Sequence, residues 1–120
     1  MTTTVNFETS KLLKEKEFNI PQLYFYIDGD ISWKVDNTRC RNQIEGEYAA
    51  PTIVEVIMWL YEKHGIWISV EQNIYENKFD YLITQRKANS WYVKSNDELV
   101  FNSPTEAYEA AIEFTLKNLI

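Results

Sequence analysis

Between residues 47 and 70 the chain reads EYAAPTIVEVIMWLYEKHGIWISV, and the spacing of its apolar positions changes halfway along. Up to His64 they recur at helical spacing. After Gly65, Ile66, Ile68 and Val70 alternate with Trp67, Ser69 and Glu71, the period of two that marks a half-buried strand. Pro51 suits the first helical turn, where a missing N–H is no loss, and Gly65 suits the left-handed position just past a helix end. The pattern predicts a helix over 51–64 and a strand over 66–74. Placed at about 100° per residue, Ile53, Val54, Val56, Ile57, Met58, Leu60 and Tyr61 cover more than half of the helix circumference. Such a helix is expected to be buried on more than one side. Thr52, Glu55, Glu62 and Lys63 fill the polar arc, and Trp59 falls inside it, where a solvated helix would carry a charge. Trp59 is therefore expected to be either covered by the N-terminal segment or exposed in a partner interface, and not a core residue of the sheet contact.

The remaining elements follow by the same logic. Residues 6–17 read as a short surface helix capped by Asn6, with only Phe7, Leu12 and Leu13 apolar. Residues 23–35, LYFYIDGDISWKV, read as two strands around Asp28-Gly29-Asp30, because an Asp-Gly pair between apolar runs is a hairpin signal. Asp28 and Asp30 also have the starting spacing of a calcium loop, but the closing Glu such a loop needs is replaced by Arg39. Residues 36–50, carrying Arg39, Cys40 and Arg41, read as a long irregular connection. Further strands are expected at 79–87, with Phe79, Tyr81 and Ile83 on one face, and at 91–101, where Trp91 and Val93 share a face before an Asn96-Asp97 turn. Ser103-Pro104-Thr105-Glu106 is a capping box with proline at the first helical position. It opens a helix over 104–118 whose buried face is Ala107, Tyr108, Ala111, Ile112, Phe114, Leu116 and Leu119. Glu106, Glu109, Glu113 and Lys117 are expected to face water.

The stretches APTIVEVIMWLYEKHGIWISV and FNSPTEAYEAAIEFTLKNLI, separated by a variable β region, resemble small uncharacterised proteins encoded by bacteriophages and prophage-like elements of anaerobic bacteria. The resemblance covers roughly residues 47–120 and rests on structural motifs, a helix–strand unit and a capped C-terminal helix. It implies an α+β fold, and at fold level an αβα sandwich of the kind phages use. It carries no function and no site residue.

Composition narrows the chemistry. The chain has 120 residues, a length that predicts a single domain over 1–120. With one cysteine, Cys40, it forms no internal disulfide, which fits a reducing compartment. The opening MTTTVNFETSK lacks the basic and apolar segments of a signal peptide, and no apolar run approaches the roughly 20 residues that span a bilayer. A soluble cytoplasmic protein is expected. The net charge of −6 disfavours a broad phosphate-binding surface and therefore nucleic acid. One local cluster, Arg86, Lys87, Trp91, Tyr92 and Lys94, mixes cations with aromatics as single-strand binders do.

His64 is the only histidine. One His and one Cys cannot complete a four-ligand His/Cys zinc set, and the sequence signatures around a catalytic cysteine are missing. His64 reads instead as a partly buried helix-end residue. Three glycines leave no phosphate cradle, and G-x-G-x-x-G, P-loop and G-x-S-x-G patterns are all absent. The carboxylates of 106–113 form an ordinary solvated helix face.

The expected architecture is α+β. An antiparallel sheet of about four or five strands, from 23–35 and 66–101, packs with helices 51–64 and 104–118 as a two- or three-layer sandwich, with the short N-terminal helix added. The expected function is a non-catalytic, protein-binding accessory factor of a phage or mobile element, without cofactor or metal. It would engage a protein partner or a second copy through Trp59, flanked by Glu55 and Glu62. The alternative is a small enzyme or nucleotide-binding domain using carboxylates and the 36–50 loop.

Overall fold

Asp28 and Gly29 take positive φ values of 53° and 81°, the backbone that a two-residue hairpin turn requires. They join β1 (Tyr24–Ile27) to β2 (Asp30–Trp33) with Tyr24 opposite Trp33 and Ile27 opposite Asp30. The structure, a computed structural model, describes residues 3–22, 24–33, 42, 44–87, 90–95 and 101–120. The chain divides into two compact units, Met1–Ile53 and Val54–Ile120.

In the first unit a further strand, β3 (Glu47–Ala49), pairs antiparallel with β1, giving a three-stranded sheet in the order β2-β1-β3. This strand lies within the segment expected to be irregular. Its signal is slight: three residues after Gly46, which turns the chain at φ 80°. Helix α1 (Phe7–Glu15) is capped as expected, the Asn6 side chain accepting from the Thr9 N–H at 2.9 Å. It is tied down more firmly than a surface helix. Leu13, Thr9 and Ser10 are buried, and the Lys14 ammonium donates to the carbonyls of Ile44 and Glu47 at 3.0 and 2.9 Å while lying over the Tyr48 ring. The Phe7 ring meets both Tyr26 and Tyr48. Pro51 lies outside the next helix, and its carbonyl accepts from the Val5 N–H at 2.9 Å. Helix α2 (Ile53–His64) therefore begins two residues later than the proline suggests. Arg39, Cys40 and Arg41 lie outside the described residues.

The second unit carries its own antiparallel sheet, β4 (Ile66–Asn73), β5 (Lys78–Lys87) and β6 (Ser90–Ser95), in that order. The chain is thus α+β, but its described residues form two three-stranded sheets in place of the single larger one expected. The register places Trp67, Thr84 and Val93 in one row across the sheet. Ile68, Ile83 and Lys94 form the adjacent row, one residue along β5 and on the opposite face. Phe101 pairs with Phe79 through two backbone hydrogen bonds of 2.8 and 2.9 Å; the expected Asn96-Asp97 turn lies outside the described residues.

Helix α3 (Pro104–Asn118) packs on β4 and β5. Ala107, Ala111, Ile112 and Leu116 are buried on one side, and Ile66, Ile68, Tyr81 and Ile83 on the other. Alanine at two successive contact turns lets the helix approach the sheet closely. Thr115 is buried too, its hydroxyl donating to the Ala111 carbonyl at 2.8 Å, which removes the cost of burying it. Ser103 caps the helix by accepting from the Glu106 N–H at 3.2 Å. The Glu106 carboxylate reaches back one residue further than a capping box requires, to the Asn102 N–H at 3.2 Å. Glu109 is half-buried rather than solvated, and burial, then the Glu106 charge, raises its pKa.

Candidate functional site

One face of the β4-β5-β6 sheet is covered by α3; the opposite face carries the side chains that alternate with the buried ones. Side chains two apart on a strand share a face, so Trp67 on β4, Thr84 and Arg86 on β5, and Trp91 and Val93 on β6 stand together. Trp67 is 44% exposed and Trp91 65%. The end of α2 adds Tyr61, 54% exposed, whose ring meets Trp67 edge-on at 5.5 Å. Gly65, at φ 66°, makes the turn that brings the helix end back beside the first strand of the sheet.

Two adjoining hollows lie along this surface. The first, about 480 Å³, is lined by Met58, Tyr61 and Trp67. The second, about 550 Å³, runs from the helix end (Tyr61, Glu62, Gly65) to the sheet (Trp67, Thr84, Arg86, Trp91). Exposed Val54 and Met58 extend the apolar stripe back along α2 from Tyr61. The surface offers aromatic area together with the Glu62 carboxylate, the Arg86 guanidinium and the hydroxyls of Tyr61 and Thr84.

The three residues expected to bind a partner do not all reach the groove. Glu62 lines the groove, Glu55 is half-buried, and Trp59 is only 5% exposed. The helix is rotated from the expected phase. Ile53, Val56, Ile57, Trp59 and Leu60 are buried, whereas Val54, Met58 and Tyr61, assigned to the apolar side, are exposed. An apolar arc wider than half the helix fits two rotations, and the one adopted buries the largest side chain. Tyr61 and Trp67 are therefore the anchors that helix periodicity missed. Trp67 was legible as the outward partner of Ile66 and Ile68, and Trp91 as the face-mate of Val93.

The cluster of cations and aromatics is divided by the sheet. Arg86 and Trp91 are cross-strand partners on the outer face, while Lys87, Tyr92 and Lys94 belong to the other face. There Lys87 lies over Tyr92 and Lys94 over Phe114 of α3. The cations needed to follow a phosphate backbone are not all on the aromatic surface.

His64 meets the Trp59 ring edge-on at 4.9 Å, and its Nε2 is buried with no hydrogen-bond partner among the described residues. Burial, then the Lys63 ammonium, lowers its pKa below the ordinary 6.5, so the imidazole is neutral at pH 7. A position beside the helix C-terminus favours a cation, but burial outweighs it. Among the described residues no three His, Cys, Asp or Glu side chains converge to hold a metal ion. No helix of the described residues is long and apolar enough to cross a membrane. The 36–50 loop invoked for an enzyme is described only at 42 and 44–50. Compared with protein-family models, curated proteins and solved structures, the chain matches none.

Proposed function

We propose that the chain is a non-catalytic protein-binding module, an accessory factor of a phage or mobile element, and that the outer face of its second unit is the binding surface. The single observation that supports this reading is the contiguous exposed apolar stripe from Val54, Met58 and Tyr61 of α2 to Trp67, Val93 and Trp91 of the sheet. Isolated exposed apolar side chains are ordinary on soluble proteins, but a contiguous patch edged by polar groups marks an interaction site. Trp and Tyr are also the side chains that most often anchor protein interfaces. The groove polar groups are few and open to solvent, whereas general acid–base chemistry calls for shielded groups. The phage origin rests on the sequence resemblance over residues 47–120.

The test is capture of proteins from a bacterial host lysate by the tagged chain, by a Trp67→Ser/Trp91→Ser variant, and by a Tyr75→Ser control. Tyr75 sits at the tip of the β4–β5 hairpin, 94% exposed and outside both hollows. A discrete protein held by the wild type and the control, and lost from the double variant, is the expected result. Equal capture by all three, or capture by none from a chain that is also monomeric, contradicts the reading.

A further inference from the structure

We propose that this surface binds a second copy of the same chain, related by a two-fold axis, with Glu62 of each protomer paired to Arg86 of its partner. The proposal rests on the protein-binding reading and names the partner. Both charged side chains are exposed and line the same groove, Glu62 at the helix end and Arg86 on the sheet beside Trp91. Neither has an ion-pair or hydrogen-bond partner among the described residues.

A two-fold interface brings one patch onto itself, so a residue i that meets j is matched by j meeting i. A patch of one sign would repel its own copy. A patch that holds one acid and one base among its aromatic side chains can be complementary to itself. The chain as a whole carries a net charge of −6, so a basic partner recruited by its charge would call for an acidic rim. The groove here holds one carboxylate and one guanidinium instead. Two-fold packing would also lay the aromatic rows over one another, covering Tyr61, Trp67 and Trp91 in both protomers. Arginine suits such a place because its planar fork pairs with a carboxylate in bidentate fashion and stacks on aromatic faces.

The pairing makes an unusual demand on charge variants. Glu62→Arg leaves two cations in each patch, and Arg86→Glu leaves two anions, so either variant repels itself. Mixed, they restore both pairs. Sedimentation velocity from micromolar to millimolar concentration reads the outcome, with circular dichroism verifying that the exposed substitutions leave the fold intact. The wild type is expected to dimerise. Each single variant is expected to raise the dimer dissociation constant by about tenfold or more, since like charges facing across an interface cost over 1.4 kcal/mol, the equivalent of tenfold. An equimolar mixture of the two, and the Glu62→Arg/Arg86→Glu variant alone, are expected to return to near the wild-type constant.

A wild type that stays monomeric throughout, or a mixture that associates no better than its components, overturns the proposal. A monomeric wild type that still captures a different protein through Trp67 and Trp91 overturns the second copy as occupant and leaves the protein-binding role standing. A monomer that captures nothing overturns both.

Discussion

Replacing Trp59 by alanine separates the two rotations open to α2. If Trp59 stood on the polar arc that the wheel assigns to it, truncation would cost little. In the structure it is 5% exposed. A tryptophan contributes about 200 Å² of side-chain surface, and at about 25 cal/mol per Å² its complete burial is worth about 5 kcal/mol as an upper figure. Measured truncations of buried Phe and Trp to Ala cost about 3–5 kcal/mol, depending on how far the cavity collapses. Trp91 is 65% exposed, so the same reckoning limits Trp91→Ala to below about 2 kcal/mol. Urea unfolding followed by far-ultraviolet circular dichroism resolves the difference. With slopes of about 1–3 kcal/mol per molar, Trp59→Ala should lower the midpoint by about 2 M and Trp91→Ala by less than about 1 M. A Trp59→Ala shift no larger than that of Trp91→Ala would refute the buried placement and restore the phase read from the wheel.

Removing the hydroxyl that accepts from the Glu106 N–H, as in Ser103→Ala, should destabilise α3 by about 1 kcal/mol; an unchanged denaturation midpoint would count against the cap. Ala111→Leu should cost roughly 1–3 kcal/mol by overpacking the fully buried contact of α3 with the sheet, whereas Glu109→Gln should raise the midpoint at neutral pH by removing a half-buried charge beside Glu106. The reverse order would mean that the face of α3 is misassigned. The lowered pKa of His64 sets the sign of a pH effect. Between that lowered value and 6.5 the unfolded chain holds a proton that the folded chain does not, so the His64 contribution is intact above 6.5 and declines as pH falls through that window. Wild type should therefore lose stability relative to His64→Gln as pH drops from 6.5 towards the lowered value, and a flat difference between the two profiles would refute it.

Where local chemistry has one solution, the elements were legible in the residues themselves. Asp28-Gly29 admits a tight hairpin turn and little else, Ser103-Pro104-Thr105-Glu106 opens a helix, and Gly65 stops one; all three stand where the pattern puts them. The alternation of Ile66 and Ile68 with Trp67 was equally direct, because a strand has only two faces. The misplaced features were those decided by tertiary contact. Strand β3 is three residues long and exists through its pairing with β1, which no local periodicity encodes. The rotation of α2 depended on which of two apolar arcs was covered. That error moved the anchor of the candidate site from Trp59 to Tyr61, Trp67 and Trp91. The division of Arg86 and Trp91 from Lys87, Tyr92 and Lys94 follows from strand register, which a list of neighbouring residues does not contain.

The most direct test of the binding surface is site-specific photocrosslinking in bacterial cells, with a benzophenone side chain placed singly at positions 61, 67, 91 and 75. A discrete protein adduct, either the chain itself or a partner, should form from positions 61, 67 and 91 and be missing from 75 on the exposed hairpin tip. Adducts that form equally from position 75, or from none of the three groove positions, would contradict the assignment of this face as the site where the protein acts.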